Sequence, residues 1–148
     1  SFDNGIEFFS TFGGSDLSCL IANEVLKIVD DENLKSNAKK MGDILINELN
    51  KLKFKFPIIG DVRGLGLFLG VEIVNNIETK EPGTQKADYI CNRLREKKIL
   101  IGLEGPSENV IKIRPPLCLN KEDVFTFIRA FSEVLSDTSL NNEFKKLN

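Results

Sequence analysis

The feature that most constrains the fold of this chain is a change in the spacing of its apolar residues near position 58. Before that position, apolar residues recur every three or four positions, which is typical of an amphipathic helix. After it, Leu67, Leu69, Val71 and Ile73 alternate with their neighbours, which is typical of a β-strand. The sequence therefore predicts a chain that begins with helices and continues into a sheet.

Two helices are predicted before this change. The first covers residues 16–29, and Ser15 or Asp16 is a suitable N-cap because its side-chain oxygen can accept a hydrogen bond from a free backbone N–H. The second follows Asp30 or Asp31, either of which can cap it in the same way. Both helices carry an apolar stripe, as expected for helices that cover a core.

The second half of the chain is predicted to alternate between strands and helices. A helix capped by Thr84 is followed by short strands over 99–103 and 110–114 and by a last helix with Asn120 at its N-cap. The order is helix, helix, strand pair, helix, strand pair, helix. It predicts an α/β (α+β) fold in which helices cover a small, mainly antiparallel sheet.

The composition excludes several kinds of function. Twenty Lys and Arg against 22 Asp and Glu give a net charge of −2, so neither nucleic acid nor an anionic membrane is an expected partner. The chain has no histidine, which removes Ser-His and Cys-His nucleophiles and most zinc catalysis. Cys19, Cys91 and Cys118 lack the spacing of a disulfide framework or a metal site, and we expect them to be buried in a reducing cytosol.

The segment Thr11-Phe12-Gly13-Gly14 lies directly before the first predicted helix. Glycines allow a backbone to approach a ligand closely, a threonine hydroxyl can donate to a phosphate oxygen, and a helix start offers free N–H groups. A plain glycine turn before a helix cap explains the same residues, and from the residues alone it is favoured because Asp16 would repel an anion.

The stretch from Gly60 to Gly70 is rich in glycine but does not precede a helix, so it is not a dinucleotide-binding loop. Gly64 and Gly66 instead predict a bend or bulge where another backbone passes closely. For Arg63, a solvated or structurally paired arginine is the favoured interpretation.

Arg114 ends the strand Val110–Arg114 on its less apolar face, since Ile111 and Ile113 point to the other side. A guanidinium in this position suits a substrate carboxylate, which it can bind through two parallel hydrogen bonds. A solvated charge on a half-exposed strand explains the residue equally well from the sequence.

In their order and spacing, the segments 11–14, 60–70 and 112–117 resemble the C-terminal part of a class III aminotransferase. This is a fold type I family whose pyridoxal 5'-phosphate (PLP) is held by a lysine Schiff base. Within the family, the sequence most resembles the subgroup that contains alanine–glyoxylate aminotransferase 2 and ethanolamine-phosphate phospho-lyase. The resemblance implies that the lysine lies before Thr11 and that no catalytic residue is in this chain.

The beginning of the chain agrees with that expectation, since Ser1 is neither an initiator Met nor the start of a signal sequence. We expect a piece of a longer enzyme. Residues 1–55 would be the end of the large domain with linking helices, 56–137 the small C-terminal domain, and 138–148 a polar tail. The lysines of this piece are expected to be surface residues with an ordinary high pKa.

The resemblance also implies roles for individual residues. Thr11 would reach across a dimer interface to the PLP phosphate of the partner subunit, and Arg114 would bind the substrate carboxylate. Arg63 lies in the stretch that shapes the substrate entrance and is a further candidate for substrate binding. No metal is expected.

As a whole, the protein is expected to be a cytoplasmic homodimer that transfers an amino group from an amino acid or amine to a keto acid or aldehyde. Two alternatives stay open. The first alternative is elimination of phosphate from an amino-alcohol phosphate, because some related phospho-lyases have lysine at the position of Arg114. The second alternative is a binding domain that kept the fold and lost the catalytic activity.

Overall fold

The computed structural model describes residue 5 and residues 9–137, so the polar tail predicted over 138–148 lies outside the described residues. The chain divides into two compact units, Ser1–Lys35 and Ser36–Asn148. No helix in the described part of the chain is long and apolar enough to cross a membrane.

The first unit contains helix α1 (Asp16–Asp31). Ser15 occupies the N-cap position, as predicted, although its side chain makes no capping hydrogen bond. The prediction that Asp30 or Asp31 caps the second helix is wrong, because α1 continues through both. The backbone turns two residues later, where Asn33 adopts a φ of 54° and donates its N–H to the Asp30 carbonyl at 3.1 Å.

Seven elements follow α1, and their strands form one antiparallel sheet of order β1-β2-β4-β3. They are α2 (Leu34–Lys55), β1 (Ile59–Leu65), β2 (Phe68–Ile73), α3 (Thr84–Glu96), β3 (Gly102–Glu104), β4 (Val110–Ile113) and α4 (Lys121–Leu135). The predicted α/β fold with a mainly antiparallel sheet is confirmed.

The core of the second unit lies on one face of this sheet. Alternation along β2 and β4 directs Leu69, Val71, Ile73, Ile111 and Ile113 to that face, where all five are buried. Helices α2, α3 and α4 supply most of the other buried side chains of the same cluster, and Ile59 of β1 and Leu67 of the β1–β2 turn complete it. The opposite face of the sheet is half-exposed, and it carries the charged residues discussed below.

Glycines permit a tight hairpin between β1 and β2. Leu65 pairs with Phe68, so only Gly66 and Leu67 connect the strands, and Gly66 has a φ of 55°. Helix α2 passes directly over this turn at Gly42, where an added Cβ would lie 2.1 Å from the Gly66 carbonyl oxygen. The predicted bend at a close backbone approach is confirmed.

The ends of α3 differ from the sequence prediction. Gly83 is the N-cap, and Thr84 is the first helical residue; its hydroxyl donates to the Ser107 carbonyl at 2.5 Å, which ties α3 to the β3–β4 loop. At the other end, Lys98 has a φ of 64° and the Ile99 N–H donates to the Leu94 carbonyl. Ile99 therefore belongs to the helix end, which is why β3 begins later than predicted.

The capping box predicted for the last helix is confirmed. The Asn120 side chain accepts from the Asp123 N–H at 2.9 Å, and the Asp123 carboxylate accepts from the Asn120 N–H at 3.4 Å. The predicted burial of all three cysteines is wrong. Cys19 lies on α1, which has no buried residue, Cys118 lies in an exposed loop, and only Cys91 is partly buried.

Candidate functional site

Strand register places the charged residues of the outer sheet face side by side. Arg63 lies opposite Gly70, Gly70 opposite Lys112, and Lys112 opposite Gly102, so these four residues form one row across the sheet. Gly70 places no side chain between the two cations, and the side chain of Val110 lies close to that position. Arg114 follows on the same face, two residues after Lys112.

The Arg63 guanidinium is held by two carboxylates. It donates to Glu72 at 2.6 Å and to Asp61 at 3.1 Å, and these bonds raise its pKa above the ordinary value. Burial alone would raise the pKa of Asp61, but hydrogen bonds from Arg63 and Lys53 outweigh burial and lower it. Arg63 is thus part of an internal ion-pair network, which matches the paired interpretation from the sequence.

The Lys112 ammonium is also paired. It donates to Glu104 on the neighbouring strand β3, and this bond is the main reason why the pKa of Glu104 lies below its usual range. The charge of the nearby Arg114 lowers that pKa a little further. Two of the three cations in this part of the sheet face are therefore already neutralised by the protein.

Arg114 is the third cation, and it differs from the other two. Its side chain is exposed and makes no hydrogen bond or ion pair with another residue in the described part of the chain. It lines a cleft of about 440 Å³ whose walls are mostly apolar and include Ile101, Pro115, Leu119 and Phe127. A free guanidinium beside an apolar cleft can bind an anionic group of a small molecule.

The backbone that carries Arg114 is fixed by a residue that sequence analysis missed. The side-chain amide of Asn37, on α2, donates to the carbonyls of Leu117 and Leu119, at 2.7 and 2.9 Å. These two bonds attach the loop after β4 to α2. The contact spans 80 residues, and no local pattern around Asn37 indicates it.

Thr11 lies in the first unit, in an exposed turn before α1. The Gly13 N–H donates to the Ser10 hydroxyl at 3.0 Å, and Gly14 has a φ of 80°, so the turn requires glycine at position 14. The Thr11 hydroxyl makes no hydrogen bond within the described residues. An exposed hydroxyl of this kind can donate a hydrogen bond to an anion.

One lysine departs from the prediction of ordinary surface lysines. Lys86, in the first turn of α3, is half-buried, and burial lowers its pKa while the charge of Glu81 opposes that shift. The expectation is therefore wrong for Lys86.

The chain matches the family model of aminotransferase class III over residues 5–135. Over 89% of its length, the chain is 41% identical to an alanine–glyoxylate aminotransferase 2-like protein of Drosophila melanogaster. Over 88% of its length, it is 37% identical to an ethanolamine-phosphate phospho-lyase homologue of Caenorhabditis elegans. It spans 27% and 28% of those two relatives. Among solved structures, a phospholyase from Arthrobacter in complex with phosphoethanolamine matches with a TM-score of 0.83 at 30% identity, over 88% of this chain and 31% of that one.

Proposed function

The chain belongs to the class III aminotransferase family, and we propose that it is the C-terminal part of a PLP-dependent transaminase. The reaction would transfer an amino group between an amino acid or amine and a keto acid or aldehyde. The observation that carries this proposal is the guanidinium of Arg114, which makes no hydrogen bond or ion pair within the described residues. Arg63 and Lys112, on the same sheet face, are both paired with carboxylates.

In this proposal, Arg114 binds the substrate carboxylate. The planar guanidinium offers two parallel N–H donors, which fix both the position and the orientation of a carboxylate. The apolar walls of the adjacent cleft exclude water from one side of the contact and so strengthen it. PLP, when bound, supplies the electron sink for the bonds that change at the substrate Cα.

Arg63 has a different proposed part. Its charge is balanced by Asp61 and Glu72, so it is less available to a substrate anion than Arg114. We propose that it shapes the substrate entrance by holding β1 and β2 together on the outer face. Replacement of Arg63 should therefore change carboxylate binding less than replacement of Arg114 does.

The test of the substrate site is Arg114→Ala in the full-length enzyme. Loss of a charge-assisted bidentate contact should weaken transition-state binding by about 2–4 kcal/mol and so lower kcat/KM for a donor that has a carboxylate. The affinity for PLP should stay the same. Arg95→Ala is the matched control, because Arg95 is an exposed arginine on α3 outside the cleft. Equal kcat/KM for wild type and Arg114→Ala would refute the assignment.

A second candidate reaction is elimination of phosphate from an amino-alcohol phosphate. It is favoured by the similarity of the chain to two proteins, a phospho-lyase homologue and a phospholyase in complex with phosphoethanolamine. Arg114 would then bind the substrate phosphate, which a guanidinium recognises as well as a carboxylate. Steady-state assays with alanine and with phosphoethanolamine, with release of inorganic phosphate as a readout, separate the two reactions.

For the cofactor, we propose that the Thr11 hydroxyl donates to the PLP phosphate of the partner subunit. Thr11→Ala should cost about 1–3 kcal/mol of PLP binding, since one hydrogen bond to a charged group is lost. Thr11→Ser keeps the hydroxyl and should restore most of the affinity. Should Thr11→Ala bind PLP as tightly as wild type, the residue has no such role. Failure of the full-length protein to bind PLP at all would instead favour the non-catalytic binding domain.

Helix α1 supports the proposal of a homodimer. It has no buried residue, and apolar side chains along it are largely exposed, with Leu17 at 68%, Leu20 at 70% and Val25 at 53%. An apolar surface of this kind is normally covered in the assembled protein. We propose that the full-length enzyme is a cytoplasmic homodimer; sedimentation at several concentrations tests the assembly, and a monomer throughout would contradict it.

The chain alone is proposed to be inactive, because the lysine that carries PLP would lie in the larger part of the relatives that this chain does not span. Titration with PLP, borohydride reduction and peptide mapping provide the test. Lys86 is the site to inspect first, since a lowered pKa favours reaction of an amine with an aldehyde. One lysine labelled stoichiometrically would contradict the proposal.

A further inference from the structure

We infer that Asn37 is a positioning residue for Arg114: its side-chain amide holds the loop that follows β4, and thereby sets the direction from which the guanidinium meets a substrate anion. This inference depends on the proposed substrate role of Arg114. It adds a residue from α2 to a site otherwise made of strand residues.

The first step of the argument is the geometry of the amide. One nitrogen, Nδ2 of Asn37, donates to the Leu117 carbonyl at 2.7 Å and to the Leu119 carbonyl at 2.9 Å. Both distances are those of good N–H···O bonds. Since an amide nitrogen has two hydrogens, a single side chain can hold two carbonyls of the same loop.

The second step is what the two bonds hold. Arg114 is one residue beyond Ile113, whose pairing with Leu69 ends the β2–β4 ladder. Pro115 and Pro116 then follow, and a proline has no N–H with which to continue a ladder. The segment between β4 and α4 therefore lacks sheet hydrogen bonds, and Asn37 supplies the side-chain anchor that replaces them.

The third step is the contrast between the backbone and the side chain of Arg114. The strand fixes the backbone on one side, and the loop held by Asn37, followed by the Asn120–Asp123 capping box, fixes it on the other. The guanidinium makes no hydrogen bond or ion pair in the described part of the chain, although its charge acts on Glu104. The fixed backbone limits the positions that the guanidinium can reach, and the exposed side chain itself becomes ordered when the ligand binds.

Asparagine is specifically suited to this position. Aspartate has the same shape but only acceptor oxygens at neutral pH, so Asn37→Asp would set a negative charge against two carbonyl oxygens and push the loop away. Asn37→Ala would remove both bonds without repulsion and leave the exposed carbonyls to water. The aspartate variant should therefore have the larger effect of the two.

The experiment uses the full-length, PLP-loaded enzyme with two donors of similar shape. L-Alanine has a carboxylate where isopropylamine has a methyl group, so only L-alanine can use Arg114. Asn37→Asp should raise the KM for L-alanine about tenfold, the equivalent of about two ordinary hydrogen bonds. The KM for isopropylamine, the kcat for both donors and the PLP affinity should change by less than about twofold. If the enzyme eliminates phosphate, the KM for phosphoethanolamine is the readout and the PLP affinity is the control, since isopropylamine has no phosphate to eliminate.

Asn92→Asp is the matched control. Asn92 lies on α3, and its amide also donates to two oxygens, the carbonyl and the carboxylate of Asp88, both at 3.1 Å. The same substitution there should leave both KM values unchanged. Asn37→Ser, which keeps one donor, is the second variant in case Asn37→Asp does not fold, and it should raise the KM for the anionic donor alone.

The outcomes are distinguishable. An unchanged KM for the anionic donor in an active, folded Asn37 variant overturns the inference and leaves the proposed function standing. Equal losses with both donors also overturn it, since a merely structural role would affect both. A wild-type enzyme that transfers no amino group from any amino acid or amine, and releases no phosphate from phosphoethanolamine, overturns the proposed function and the inference with it.

Discussion

Replacement of Gly42 by alanine tests the close approach between α2 and the β1–β2 hairpin. In an exposed helix, glycine to alanine is stabilising by about 0.5–1 kcal/mol, because alanine loses less conformational entropy on folding. Gly42 is buried, and the new Cβ would lie 2.1 Å from the Gly66 carbonyl oxygen and 2.5 Å from its carbon. These are backbone atoms, so no flexible side chain can move aside.

The magnitude follows from the distance. Real Cβ atoms essentially never approach another heavy atom within 3.0 Å, so the hairpin and the helix must separate. Overpacking of this kind costs about 1–3 kcal/mol, and it outweighs the gain in helix propensity. We expect Gly42→Ala to lower the free energy of unfolding by about 1–2 kcal/mol.

Urea unfolding followed by circular dichroism measures the effect. Gly102→Ala is the control, because an added Cβ there would have its nearest neighbour, Lys112 Cε, at 4.0 Å. We expect that variant to be as stable as wild type within about 0.5 kcal/mol. If Gly42→Ala proves equally stable or more stable than wild type, the reasoning from the α2–hairpin contact is refuted.

Three further predictions concern single groups. Hydrogen bonds from Arg63 and Lys53 outweigh burial and lower the pKa of Asp61, so the stability contributed by the ionised carboxylate is present above its ordinary pKa of 3.8 and is lost as the pH falls below that value. Asp61→Asn should reduce this loss of stability at acid pH, measured by urea unfolding, and should cost about 0.5–1 kcal/mol at neutral pH. Asn120→Ala should remove the α4 cap and cost about 1 kcal/mol, with faster amide exchange in the first turn as the check. Burial raises the pKa of the Cys91 thiol to about 11, so mass spectrometry after brief iodoacetamide treatment near neutral pH should find the two exposed cysteines alkylated before it.

Local patterns in the sequence were sufficient for the order and type of the elements and for the sheet face that is buried. The change of apolar period separates α2 from the sheet, and alternation along β2 assigns Leu69, Val71 and Ile73 to the core. The Asn120–Asp123 box lies within one turn of helix, so its spacing alone predicts it. Such features depend on residues a few positions apart, which the sequence displays directly.

The prediction failed where a short-range signal had more than one solution. Thr84 is a plausible cap by type, but Gly83 takes that position and the hydroxyl bonds to the β3–β4 loop instead. Ile99 fits a strand by composition, yet it closes the end of α3. In both places a contact made by the folded chain overrides residue preference.

The sequence by itself determined the order of elements, the buried face of the sheet and the resemblance to the aminotransferase family. Only the tertiary structure decided which arginine is available. Arg63 and Arg114 are the same residue type, and strand pairing supplies Glu72 to Arg63, while Arg114 makes no hydrogen bond or ion pair in the part of the chain that the structure describes. It also decided the part of Asn37, whose bonds span 80 residues. Charge pairing and loop anchoring depend on distances between strands and helices, and those distances exist only once the chain has folded.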